Sequence, residues 1–172
     1  LDNEKKEYLL NQIININFEQ LNKLYENTKK GVEPGDDRIE PISYIEKEKM
    51  VDYEKYMKIG EEEIKKGKLA VVTMAGGQGT RLGHNGPKGT LIVDKINPQK
   101  SIFEIFSDKL KETYEKFGVK IKWYIMTSNS NDIDTKNFFI ENNYFNYGKE
   151  NICFFKQGEL PLLDEEGKIV FK

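Results

Sequence analysis

Arg81 and Lys88 both stand within a glycine-rich run, Ala75 to Gly89 (AGGQGTRLGHNGPKG), and that combination suits a phosphate-bearing ligand. Arginine offers a planar fork of donors and lysine a compact mobile charge, so the two do different work on phosphate oxygens. Gly76, Gly77 and Gly79 carry no Cβ, which lets the backbone bend sharply and bring its N–H groups close to a base or phosphate. Only two arginines, Arg38 and Arg81, occur among 27 basic residues, so arginine is not this chain's ordinary positive charge. That favours a functional Arg81 over one that pins the loop through a neighbouring carbonyl or carboxylate.

The spacing excludes two better-known glycine loops. A Walker A loop needs GxxxxGK[ST], whereas Pro87 separates Gly86 from Lys88 and Gly89 follows the lysine. A dinucleotide fingerprint counted from Gly77 and Gly79 needs a third glycine at position 82, which is Leu82. The motif that remains is GGQGTRLG, a three-residue gap, then PKG.

AGGQGTRLG followed by PKG resembles the signature of the eukaryotic-type UDP-sugar pyrophosphorylases. WYIMTS (Trp123 to Ser128), TKNFF (Thr135 to Phe139), Tyr144 with Phe145, and NICFFKQGELP (Asn151 to Pro161) are similar to that family's segments in the same order. The resemblance covers Lys68 to Lys172, and several separated motifs agree, which one glycine loop could not establish. It implies a Rossmann-like nucleotidyltransferase fold, α/β with a mainly parallel sheet, of which this chain holds part. It also implies transfer of a uridylyl group from UTP to a sugar 1-phosphate with Mg²⁺. WYIMTS and FFKQGELP most resemble the branch that uses N-acetylglucosamine 1-phosphate, with glucose or galactose as alternatives.

Nucleotidyl transfer is an in-line attack of a phosphate oxygen on the α-phosphorus with pyrophosphate leaving, so positioned cations and N–H dipoles supply most of the catalysis. Arg81 and Lys88 suit that work as the catalytic cations, and by resemblance Lys88 reaches the phosphates while Met74, Ala75, Gly76 and Gly77 hold the base and ribose. Gly79, Thr80 and Gly158 complete the nucleotide-binding set, and Gln157 reads the uracil edge, as an amide with both donor and acceptor can. Thr127 and Ser128 either line the pocket or cap the next turn. His84 is expected to be exposed loop filler, Cys153 a small buried hydrophobe, and Trp123 and Tyr124 core. Asp164, Glu165 and Glu166 beside Gly167 form a solvated turn in preference to a metal site. The resemblance places the metal and sugar ligands in sequence beyond Lys172, and the chain, beginning at Leu1, is expected to be an N-terminal piece. A non-catalytic nucleotide-binding module is the alternative function.

The chain has 172 residues, a net charge of −2 and one cysteine. This balance gives no electrostatic footprint for nucleic acid. A lone cysteine, no apolar run near 18 residues and no signal-peptide core point to a reducing cytoplasm without membrane attachment. Nothing in the pattern specifies an oligomeric state.

The elements that must position these groups follow from apolar spacing. Leu10, Ile14, Phe18, Leu21 and Tyr25 predict one amphipathic helix over 3–30, and Gly31 to Ser43 a turn-rich linker. Met50, Tyr53, Met57 and Ile64 predict a helix over 46–66 ending at Gly67. These stripes are expected to be packing surfaces. Together they form a helical N-terminal region, 1–67, ahead of the first part of the catalytic domain, 68–172. Leu69 to Met74 reads as a strand covered on both faces. Ser101 with Glu104 opens a helix that Gly118 closes. Strands over 119–127, 152–155 and 168–171 and a helix over 135–142 complete a βα alternation, and hence a parallel sheet.

Overall fold

The structure is a computed structural model, and it describes residues 2–30 and 40–170. Most of the predicted linker, 31–39, lies outside the described residues, as does Phe171. The chain divides into two compact units, 1–44 with 159–172, and 45–158.

In the first unit the single predicted helix is two, α1 (Asn3–Ile14) and α2 (Phe18–Lys29). Asparagines make the break. Asn15 donates through Nδ2 to the Asn11 carbonyl, and Asn17 Oδ1 accepts the Gln20 N–H at 2.9 Å as the cap of α2; such side chains compete with the helical ladder. The α1 stripe is not a packing surface among the described residues, since that helix buries none of them. Leu21 of α2 is buried, and the Tyr25 hydroxyl donates to the Glu165 carbonyl at 2.7 Å. Glu165 belongs to the turn of a hairpin whose strands are Leu162–Leu163 and Ile169–Val170. Asp164 Oδ1 accepts the N–H groups of Glu166 and Lys168, so this acidic cluster is the solvated turn expected.

The second unit begins with a short 3₁₀ turn, Lys47–Lys49, and the helix proper, α3, is Tyr53–Lys65. The predicted start at Glu46 is seven residues early because Asp52 takes φ 67°, a left-handed conformation that no α-helix continues through. Its end is as expected. Gly67 (φ 72°) donates to the Ile64 carbonyl and Lys68 to that of Glu63, closing the last turn with a left-handed glycine.

Strands β1 (Ala70–Met74), β4 (Lys122–Thr127) and β5 (Ile152–Lys156) form a three-stranded sheet in the order β1-β4-β5, both pairings parallel. Between β1 and β4 come a two-residue antiparallel pair, β2 (Ile92–Val93) with β3 (Lys100–Ser101), and then α4 (Ile102–Phe117). Ser101 Oγ accepts the Glu104 N–H and Gly118 ends α4 at φ 73°, as its flanking residues predicted. Helix α5 (Asp132–Glu141) joins β4 to β5. It starts before the predicted Thr135 because the Thr135 N–H already bonds the Asn131 carbonyl, and Asp132 and Asp134 favour the positive end of the helix dipole.

Helices α4 and α5 cover one face of the sheet. Phe103 and Leu110 of α4 and Phe139 of α5 join Trp123, Ile125 and Phe145 in a single buried cluster. Phe139 packs edge-on against Phe103, Trp123, Phe145 and Phe154. Trp123 is core as expected, its indole N–H donating to Thr73 Oγ1 at 2.8 Å. The other face is open, which corrects three expectations. Val72 and Met74 are 59% and 81% exposed, so β1 is not covered twice. Tyr124 is 37% exposed, and Cys153, its partner in the register, is exposed and not buried. Alternation put these residues on one face, and the described helices supply a cover for the other.

Candidate nucleotide-binding site

The glycine run leaves the carboxyl end of β1, where open α/β sheets bind ligands. The Ala75 N–H continues the sheet by donating to the Met126 carbonyl, and Gln157, just past β5, donates its N–H to the Thr127 carbonyl. These bonds hold the starts of the two loops on either side of the β4 end. The Gln157 side chain then meets the glycine turn, because a Cβ on Gly76 would stand 2.5 Å from its Oε1. The structure therefore brings together the amide expected to read a base and the glycine expected to hold one.

Lys88 arrives by a second route. The loop folds back so that the Lys88 N–H donates to the Gly77 carbonyl at 3.1 Å and the Gly79 N–H to the Gly86 carbonyl at 2.8 Å. Gly79 is buried, and its amide is committed to the loop itself, so it shapes the turn without offering an N–H to a ligand. Thr80 opens a 3₁₀ turn, Thr80–Leu82, that carries Arg81 outward, and Lys88 opens a second one, Lys88–Thr90. Arg81 and Lys88 are exposed, and among the described residues neither is ion-paired or bonded through its side chain. The alternative of Arg81 as a loop pin finds no bond to support it. Gly158 is exposed beside Gln157, and Met74 presents its side chain on the open face of the sheet. Among the described residues no hydrogen bond joins Arg81 to Lys88 or to Gln157.

His84 departs from its expected role as filler. It is half-buried, a Cβ on Gly79 would stand 2.8 Å from its Cβ and Cδ2, and Nε2 lies 2.7 Å from Thr90 Oγ1. Thr90 Oγ1 in turn donates to the Pro87 carbonyl at 2.8 Å. The imidazole is thus a strut between the two halves of the loop. Gly89 of PKG is also structural, being buried against the Phe103 ring.

Sequence reasoning missed the groups under the loop. Asn131 is 1% exposed and bridges the carbonyls of Ala75 and Gly77 to the N–H of Ser128. Asp132 beside it accepts from Thr127 Oγ1 at 2.6 Å and pairs with Lys136 at 2.8 Å, with Lys156 at 3.9 Å. Burial pushes the Asp132 carboxyl up, but the bonds from Lys136 and Thr127 outweigh it and hold the group below the usual carboxylate range. Thr127 and Ser128 are both buried, and their hydroxyls bond to the Asp132 carboxylate and the Ser130 hydroxyl, so among the described residues neither side chain caps a backbone N–H of the turn. The only signal was SNSND after a strand, which reads as an ordinary helix start. Among the described residues no group of three acidic, histidine or cysteine side chains is placed to hold a metal ion, and none forms a helix long and apolar enough to cross a membrane.

Three comparisons bear on this arrangement. The chain is 46% identical over 116 residues to the UDP-N-acetylglucosamine pyrophosphorylase of Saccharomyces cerevisiae, covering 66% of this chain and 24% of that protein. It is 33% identical to a probable UDP-N-acetylglucosamine pyrophosphorylase of Schizosaccharomyces pombe, covering 99% of this chain and 38% of the relative. The crystal structure of the Trypanosoma brucei uridine diphosphate N-acetylglucosamine pyrophosphorylase with an inhibitor superimposes with a TM-score of 0.67 at 30% identity, covering 89% of this chain and 32% of that one. The chain thus spans well under half the length of the relatives it matches. Since residues 16–172 match the family described as UTP–glucose-1-phosphate uridylyltransferase, the chain belongs to that family of UDP-sugar pyrophosphorylases.

Proposed function

We propose that this chain supplies the nucleotide-binding part of a uridylyltransferase that forms a UDP-sugar and pyrophosphate from UTP and a sugar 1-phosphate. The observation that carries this reading is the meeting of Gln157 with Gly76 above the strand ends, beside a turn that hands Lys88 to the same loop. The site amide gives a polar edge for uracil, and a base that leaves it unpaired is disfavoured. Lys88 and Arg81, free of carboxylate partners among the described residues, can take up phosphate oxygens. As the sugar phosphate oxygen attacks the α-phosphorus, negative charge moves onto the departing pyrophosphate, and these two cations stabilise it. None of the residues becomes covalently attached. In this reading 1–67 is the helical region and 68–172 the beginning of the catalytic domain.

N-acetylglucosamine 1-phosphate is the proposed acceptor, supported by the names of the relatives above, with glucose 1-phosphate as the alternative. Among the described residues no three carboxylate, histidine or cysteine side chains converge to hold Mg²⁺, and Asp132 is tied to Thr127 and Lys136. Mg²⁺ is proposed to enter with the triphosphate, whose oxygens suit a hard cation. A reducing cytoplasm is the proposed compartment, in keeping with a single exposed thiol, Cys153.

Incubation with UTP, N-acetylglucosamine 1-phosphate and Mg²⁺, with pyrophosphate release as the readout, tests this on the chain and on the longer polypeptide. Release by the longer polypeptide that depends on Lys88 supports it. UTP binding with no release from either would favour the rival, a nucleotide-binding module without catalysis, and no UTP binding would remove both.

A further inference from the structure

Under the glycine turn lies a carboxamide that the reaction just described does not touch. Asn131 sits immediately before α5, yet its side chain does not cap that helix. Nδ2 donates to the Ala75 carbonyl at 2.9 Å and, more weakly, to the Gly77 carbonyl at 3.4 Å, while Oδ1 accepts the Ser128 N–H at 2.9 Å. One buried side chain thereby joins the loop after β1 to the loop after β4.

The consequence follows from peptide geometry. In a planar trans peptide the carbonyl and the N–H of the next residue point in opposite directions. Turning the carbonyls of Ala75 and Gly77 down onto Asn131 turns the N–H groups of Gly76 and Gln78 away from it. Among the described residues those two amides donate to no carbonyl, whereas Ala75 and Gly79 on either side are bonded to Met126 and Gly86. The Gly76, Gly77 and Gln78 N–H groups thus form an uncommitted run between two committed donors, and Asn131, joined at the Gly77 carbonyl by the Lys88 N–H, sets the direction of the first and last of them. We propose that Asn131 is a positioning residue that fixes these two peptide dipoles so that the Gly76 and Gln78 N–H groups face the oxygens of a nucleoside triphosphate. The identity of the ligand rests on the uridylyl-transfer reading; the orientation of the peptides does not.

The chemistry of the side chain makes the role specific. Asparagine both donates and accepts here, and an aspartate of the same shape could still accept from Ser128 but would set a carboxylate against two carbonyl oxygens. Asp132, Lys136 and Lys156 are the charged groups nearby, and they are paired with one another. Amide NMR on the labelled chain, titrated with UTP and Mg²⁺, tests the proposal. In the wild type the Gly76 and Gln78 signals shift saturably and those of Ala75 and Gly79 move much less. Asn131→Asp, and Asn131→Ala should the first fail to fold, displaces the Gly76 and Gln78 signals before any ligand is added and weakens UTP binding by on the order of tenfold or more. A role confined to stability would lower the melting midpoint and leave the affinity of the folded protein unchanged, and that result would overturn the proposal. So would a wild-type titration that moves other loop amides but neither Gly76 nor Gln78. A wild type indifferent to UTP overturns the uridylyl-transfer reading, and Asn131 is then judged by the ligand-free signals alone: no displacement in either variant refutes it.

Discussion

Adding one methyl group at Gly89 separates the loop's shape from its charge. An alanine Cβ there would lie 2.2 Å from Cε2 and Cζ of Phe103, well inside van der Waals contact. The ring cannot easily retreat, because Phe103 is 1% exposed and wedged against Trp123 and Phe139, with ring centroids 6.4 and 4.9 Å away. Either the aromatic cluster repacks or the turn carrying Lys88 lifts. Overpacking of this kind costs about 1–3 kcal/mol, and at roughly 2–4 °C per kcal/mol in a chain of this size the melting midpoint should fall by about 2–12 °C. Lifting the turn also strains the bond from Lys88 N–H to the Gly77 carbonyl, so UTP binding weakens together with stability. Lys88→Ala supplies the contrast, weakening UTP binding with little change in melting. A double-mutant cycle with Phe103→Leu, read by urea denaturation, should recover part of the Gly89→Ala loss, since the smaller side chain makes room. Full additivity, or Gly89→Ala with wild-type melting and UTP affinity, would refute this account of the PKG turn.

Lys88→Ala itself should reduce UTP affinity by roughly ten- to a hundredfold, the worth of a charge-assisted phosphate contact of about 1.5–3 kcal/mol, read by calorimetry. Gln157→Ala should narrow the preference for UTP over ATP and GTP while leaving the melting midpoint nearly unchanged; an intact preference removes its role as base reader. Because the Asp132 carboxyl is held low in the folded protein, its contribution to stability is present above the ordinary carboxylate pKa of about 4 and is lost as pH falls through the lower native value. Urea unfolding from pH 6 downward, in wild type and Asp132→Asn, should show a flatter acid limb in the variant. The Thr135 hydroxyl is buried without a partner among the described residues, so Thr135→Val should hold or raise stability by about 1 kcal/mol, and a clear loss would point to a partner for that hydroxyl.

Local chemistry made some of this fold legible. Ser101 and Gly118 bound α4 because a cap and a left-handed stop are decided within a few residues, and the β1 to glycine-loop junction follows from composition alone. The meeting of Gln157 with Gly76 came from the resemblance and not from spacing. Other features depend on partners distant in sequence. The apolar rhythm of the first thirty residues runs through Asn15 and Asn17 without a gap, so periodicity cannot register the helix break their side chains impose. Alternation assigned Tyr124 and Cys153 to one face of the sheet, but which face the helices cover is settled by tertiary packing. Asn131 is 56 residues from Ala75, and nothing near it in sequence distinguishes a loop clamp from a helix cap. His84 lies close to the glycines it supports, yet its packing depends on how the loop folds back on itself.

Calorimetric titration of the 172-residue chain with UTP, ATP and GTP in the presence of Mg²⁺ addresses the core of this account most directly. A single UTP site, with both purine nucleotides bound distinctly more weakly, is the expected result. Absence of UTP binding by the folded chain, or equal affinity for all three nucleotides, would contradict it.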